Sequence, residues 1–112
     1  MSISQADKAR RLRELQARPG AFVMPNPWDG GSARILEGLG FKALATSSGA
    51  AAGTLGRRDG AIARDESLAM AQVIVRATDL PVTADLENGF GDAPGVVAET
   101  IRLAAAAGLV GG

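Results

Sequence analysis

Neither cysteine nor histidine occurs anywhere in the 112 residues of this chain. Their absence excludes thiolate and imidazole metal sites, Cys and His nucleophiles, and a Ser-His-Asp arrangement within the chain. Any metal bound here is therefore held by oxygen. The redox compartment stays open, because a chain without thiols survives in either. An excess of one charge is also absent: 12 Lys+Arg against 12 Asp+Glu give a formal net charge of +0. No global field draws the chain to nucleic acid or to an anionic membrane, so neither is an expected partner. No uninterrupted apolar stretch approaches the roughly 18 residues that argue for a membrane span. The amino terminus lacks the apolar core of a secretory signal. Lys8, Arg10, Arg11, Arg13 and Arg18 give it a faint transit-peptide character that Asp7 and Glu14 dilute, and a cytoplasmic surface helix is expected instead.

What is present alternates between helix-like and strand-like segments. Ser4 and Asp7 have capping-box spacing, and Ala9, Leu12 and Leu15 recur at helical intervals until Pro19-Gly20, which predicts a lead-in helix within residues 1–20. Phe22-Val23-Met24 reads as a strand ending at Pro25-Asn26-Pro27, followed by a helix with Ser32, Ile35, Leu36 and Leu39 on one face and Gly40 at its close. Ala43-Leu44-Ala45 reads as a second strand passing into the hydroxyl-rich mouth Thr46-Ser47-Ser48-Gly49, and a long loop of small residues then runs to Asp65. Asp65 is the expected N-cap of a helix with Met70, Val73, Ile74 and Ala77 buried, and Asp79-Leu80-Pro81 turns the chain into a third strand. Asp92 is expected to cap a last helix, with Pro94 in its first turn and Val97, Ile101, Ala104 and Ala105 on its apolar side. Leu109-Val110 looks like a fourth strand starting. Such alternation is the pattern of a parallel sheet built from βαβ units, and residues 1–112 read as one domain.

In parallel α/β folds functional residues gather where strands end and the βα loops begin. Three such ends are legible: Pro25 to Asp29, Thr46 to Gly49, and Asp85-Leu86-Glu87-Asn88-Gly89. Strand alternation puts Thr83, Asp85 and Glu87 on one face and Val82, Ala84 and Leu86 on the other. Two carboxylates on one face at a strand's carboxyl end suit a hard divalent cation such as Mg²⁺, which takes oxygen ligands and retains waters. The plainer alternative is the solvent face of an edge strand, but a polar face inside a parallel fold needs a reason.

Taken jointly, Pro25-Asn26-Pro27-Trp28-Asp29-x-x-Ser32-Ala33-Arg34, Gly40-Phe41, Thr46-Ser47-Ser48, Gly56-x-x-Asp59-Gly60 and Asp85-x-Glu87-x-Gly89-Phe90-Gly91 resemble the isocitrate lyase/phosphoenolpyruvate mutase superfamily over about residues 20 to 112. The resemblance implies a (β/α)8 TIM barrel, of which about three βα units and the start of a fourth strand are present (residues 21–112 after the lead-in helix). A complete barrel usually needs about 250 residues. It further implies Mg²⁺-dependent chemistry (Mn²⁺ as the alternative) on a small 2-oxo acid or related carboxylate, and a homo-oligomer, tetramer or dimer, at full length. Carried over by residue, Thr46, Ser47, Ser48 and Gly49 would hold the substrate carboxylate, for which the bland alternative is turn capping. Asp85 would be the principal metal carboxylate, Glu87 its direct or water-mediated support, and Asp59 a further active-site acid near the metal. Trp28 and Asp29 are expected to fix the first loop by packing and N-capping. Beyond Gly112 the family continues into an acidic motif and a mobile loop that separate lyases from mutases and hydrolases. The expected function is carbon–carbon or phosphorus–carbon bond cleavage or rearrangement through an enolate. The rival readings are a non-catalytic truncated fragment or interaction module, and a small α/β binding domain.

Overall fold

The computed structural model of the protein describes residues 3–112. Helix α1 (Gln5–Ala17) starts as its cap predicts: the Ser4 hydroxyl accepts the Asp7 N–H at 3.1 Å, and Leu12 is buried. Helix α2 (Gly30–Gly38) is capped by Asp29, whose carboxylate accepts the Ser32 N–H at 2.8 Å while the Ser32 hydroxyl accepts the Asp29 N–H at 3.1 Å. Its buried stripe runs through Ala33 and Leu36. Ile35 and Leu39, expected on that face, are 66% and 70% exposed.

Strands β1 (Leu44–Ala45) and β2 (Val82–Thr83) pair in parallel, Leu44 opposite Val82 and Ala45 opposite Thr83. The expected strand Phe22-Val23-Met24 is not formed, and residues 21–27 have no regular secondary structure. One bond ties them to the sheet, from the Ala45 N–H to the Pro25 carbonyl at 3.1 Å. The reciprocal parallel bond would come from the N–H of residue 27, which is proline and has none. Instead the Asn26 side-chain amide donates to the Ala45 carbonyl at 2.7 Å. On the other side of β2, where Leu109-Val110 is expected to start a strand, the structure has an isolated parallel bridge at Gly111. The Val110 N–H donates to the Val82 carbonyl at 3.0 Å, the Ala84 N–H to the Gly111 carbonyl at 3.1 Å, and Thr83 bridges Gly111 in parallel.

The stretch expected as a loop after the second strand contains helix α3 (Ser48–Thr54), capped by Ser47 and anchored by buried Ala50 and Ala52. Helix α4 (Arg64–Ala77) has Ala63 at its cap, two residues before Asp65, so Asp65 is not the cap. Glu66 reaches back to accept the Ala63 N–H at 3.0 Å. Ile74 is buried as expected and Val73 is exposed. Helix α5 (Pro94–Ala106) has Pro94 at its start and Ala93, not Asp92, at the cap. Its buried side chains are Thr100 and Ala104, while Ile101 is half-exposed.

The core joins Ala33, Leu44, Ala71, Ile74, Val82 and Ala84, with Leu86, Ala104 and Leu109 extending it under α5. Helix α1 lies at the end of the sheet where the strands start. Buried Lys8 donates to the Thr78 carbonyl at 3.2 Å, and the Gln5 amide to the Ala105 and Leu109 carbonyls, each at 2.8 Å. The opposite end, where β1 and β2 finish, is thereby left for the loops that carry the polar residues. No helix among the described residues is long and apolar enough to cross a membrane.

Candidate active site at the ends of the strands

Just past β2, Asp85 is the centre of the site. Its Oδ2 accepts the Ser48 N–H at 3.1 Å and the Ser48 hydroxyl at 2.8 Å, and its Oδ1 accepts the Glu87 N–H at 3.1 Å. Its own N–H donates to the Thr46 hydroxyl at 3.1 Å. Two neighbouring strand ends are thus stitched together through one carboxylate. Burial alone pushes the Asp85 carboxyl up, but the hydrogen bonds from the Ser48 hydroxyl and from the Glu87 and Ser48 N–H groups outweigh it, and the group sits below its ordinary value. A carboxylate offers about four lone-pair sites. Three are taken, and the remaining one lies on Oδ1.

Glu87 is not on a strand. The β2 ladder has ended, and residues 86–91 form a turn in which the Gly89 N–H donates to the Leu86 carbonyl at 2.8 Å. Glu87 and Phe90 both adopt left-handed backbone, φ 55° and 64°, a conformation that costs non-glycine residues of order 1–3 kcal/mol each. Strand alternation therefore does not set the direction of Glu87. The turn does, and it brings Oε1 beside Gly60, 3.7 Å from where a Cβ on that glycine would stand. Asp59 reaches the mouth from the same loop: its Oδ2 lies 3.6 Å from the position of a Cβ on Gly49.

In the mouth itself the Ser47 hydroxyl accepts the Ala50 N–H at 3.2 Å and so caps α3. This is the capping alternative realised, though the hydroxyl proton stays available to a ligand. Ser48 is buried and committed to Asp85. Asp29 serves as the N-cap of α2, as expected. Trp28 is 60% exposed and, with Pro27, Thr46, Ser47, Ser48 and Asp85, lines a cavity of about 10 Å³, room for roughly one water. A substrate would therefore occupy the open face of the mouth.

Every side-chain donor gathered here is an oxygen, which suits a hard cation, yet among the described residues no three acidic side chains converge into a metal cage. The donor chemistry fits Mg²⁺, which keeps several waters and is commonly held by one or two carboxylates. Sequence reasoning identified Ser48 and Asp85 but not the bonds between them, and it missed Thr100, whose fully buried hydroxyl donates to the Gly89 carbonyl at 2.7 Å. The available signal was a threonine one turn before Ala104, on the buried side of α5.

The chain is similar in sequence and in fold to known proteins. Residues 12–112 match the phosphoenolpyruvate phosphomutase family model. The chain is 38% identical over 96 residues to 2,3-dimethylmalate lyase of Eubacterium barkeri, covering 84% of this chain and 33% of that protein. It is 36% identical over 89 residues to 2-methylisocitrate lyase of Bacillus subtilis (strain 168), covering 79% and 30%. Among solved structures, a provisionally assigned lyase/mutase from Burkholderia cenocepacia J2315 superposes with a TM-score of 0.94 at 59% identity over 96% of this chain and 39% of that one. Oxaloacetate acetylhydrolase superposes at 0.82 with 30% identity, over 92% and 38%. The chain spans about a third of the length of the curated relatives it matches.

Proposed function

The chain belongs to the isocitrate lyase/phosphoenolpyruvate mutase superfamily, and on that premise we propose that the full-length protein cleaves or rearranges a carbon–carbon or phosphorus–carbon bond in a small 2-oxo acid or related carboxylate. In this reading the described residues supply about the first three βα units and the opening of the fourth strand of a (β/α)8 barrel, acting in the cytoplasm as a homo-oligomer. Asp85 would anchor Mg²⁺ or Mn²⁺ through the open lone pair on Oδ1, with Glu87 and Asp59 in direct or water-mediated support. That cation would stabilise negative charge developing on an enolate oxygen.

This chain's own residues hold and orient. Ser48 and the Glu87 N–H keep Asp85 ionised and fixed in direction. Thr46 ties the end of β1 to the backbone of Asp85, so mouth and carboxylate move as one. The Ser47 hydroxyl proton and the Gly49 backbone can approach a substrate carboxylate closely because no bulky side chain projects from Gly49. The observation that carries the reading is the Asp85–Ser48 contact, a carboxylate held at a strand end against the small-residue mouth.

The test is steady-state turnover of the full-length protein against oxaloacetate, 2-methylisocitrate, 2,3-dimethylmalate and phosphoenolpyruvate with titrated Mg²⁺. Asp85→Ala is expected to lower kcat/KM by at least about a hundredfold while the fold persists, with Glu87→Ala milder. Unchanged turnover and metal affinity in Asp85→Ala would overturn the assignment.

A further inference from the structure

Among the described residues outside the mouth, Thr100 is the most completely enclosed polar side chain, at 0% exposure. A threonine in the middle of a helix ordinarily turns its hydroxyl to the carbonyl one turn back, and here the Val96 carbonyl is within 3.1 Å. The shorter bond goes elsewhere, to the Gly89 carbonyl at 2.7 Å. From the other side the Thr100 oxygen accepts Nη1 of Arg64, the first residue of α4, at 3.2 Å. Guanidinium, hydroxyl and carbonyl thus form a donor chain in which the cation polarises the hydroxyl toward Gly89.

The carbonyl so gripped belongs to the turn that carries Glu87. That turn contains two left-handed non-glycine residues, and it rests on α5 so closely that a Cβ on Gly89 would meet Val97 at 2.9 Å and one on Gly91 would meet Val96 at 2.6 Å. Backbone held in a disfavoured conformation persists only where its surroundings over-determine it. Arg64 meanwhile directly follows the loop that carries Asp59 and Gly60. The Arg64–Thr100–Gly89 chain therefore links the turn that carries Glu87 to the start of α4, directly after the loop whose Gly60 faces the Glu87 carboxylate.

We infer that Thr100, with Arg64, is a positioning residue: it locks the 86–89 turn so that Glu87 faces the Asp59–Gly60 loop and Asp85 keeps the Glu87 N–H. The inference rests on the metal-binding reading proposed above and assigns the support of that site to residues that touch neither substrate nor metal. Loss of such outer support commonly costs ten- to hundredfold in metal affinity.

The experiment measures Mn²⁺ binding to the full-length protein by electron paramagnetic resonance and calorimetry, alongside the Mg²⁺ dependence of kcat. Thr100→Val, which keeps the shape and removes the hydroxyl, is expected to weaken Mn²⁺ binding at least about tenfold, and Thr100→Ser to restore it to within about threefold of the parent. Arg64→Met is expected to fall between them, and it provides the same reading should Thr100→Val not fold. A lowered melting temperature with unchanged Mn²⁺ affinity in Thr100→Val, or in Arg64→Met if that variant alone folds, would reduce the chain to a structural role and overturn the inference. Asp85→Ala measured in parallel separates the two readings. If it too leaves Mn²⁺ binding unchanged the metal site itself is misplaced, whereas loss in Asp85→Ala alone refutes only the positioning.

Discussion

Asp85 illustrates how much one side chain can be governed by its donors. Its carboxyl lies below the ordinary range because the Ser48 hydroxyl and the Glu87 and Ser48 N–H groups outweigh burial. A depressed folded pKa means that this group contributes stability in full above the ordinary carboxyl range and loses it as pH falls through the lowered value. Ser48→Ala removes one of the donors, so the Asp85 pKa is expected to rise toward normal and the acid loss to move to higher pH. Carboxyl-carbon NMR titration checks this, and an unmoved Asp85 would contradict the geometry. Gly49 makes a second residue-level case. A methyl there would meet Asp59 Oδ2 at 3.6 Å, an ordinary contact, so Gly49→Ala should bind a 2-oxo acid inhibitor nearly as well as the parent. Gly49→Leu should displace Asp59 and weaken that inhibitor by about tenfold or more, measured by calorimetry.

Among the elements, α1 does more than lead into the sheet. Its Lys8 ammonium and Gln5 amide donate to carbonyls at or just beyond the carboxyl ends of α4 and α5, where unpaired acceptors and the negative end of each helix dipole favour such donors. Lys8→Met keeps the buried stem and removes the cation, leaving the Thr78 carbonyl without its donor. A loss of about 1–3 kcal/mol is expected in urea unfolding of the full-length protein. No change would mean that water replaces the ammonium at no cost. The helix caps show why some ends are legible in sequence and others are not. Ser4 and Asp29 cap with their own side chains, whereas Ala63 and Ala93 stand at the starts of α4 and α5 with no side-chain bond to give. There the nearby acids Asp65 and Asp92 attract the prediction to the wrong residue by one or two positions.

On the scale of the whole molecule, a radius of gyration of 13.7 Å is close to the roughly 13 Å expected for a folded chain of this length. Compactness does not close the sheet. On one side the irregular residues leave Phe22 37% and Val23 66% exposed, and on the other β2 is met by an isolated bridge from Thr83 to Gly111. Unpaired strand edges beside exposed apolar side chains invite association. Residues 1–112 prepared alone are therefore expected to associate or to unfold without a sharp transition, and to show no turnover. Sedimentation velocity and thermal unfolding test this. A monodisperse, cooperatively unfolding monomer with Mg²⁺-dependent activity would favour a self-contained α/β domain.

Apolar periodicity, proline and glycine punctuation and side-chain caps determined the alternation of strands and helices, and with it which residues arrive at the strand ends. Thr46 to Gly49 and Asp85 were legible on those grounds, because strand polarity in a parallel sheet decides which loops face the same way. Tertiary structure alone decided the rest. A run of small residues, 48–54, becomes helix because Ser47 caps it and Ala50 and Ala52 find a core to enter, neither of which shows as periodicity. Ile35, Leu39 and Val73 lie outside because a helical stripe gives spacing but not the neighbour that covers it. Glu87 is aimed by a left-handed turn that its side chain does not favour, and that turn exists because α5 presents Val96, Val97 and Thr100 beneath it.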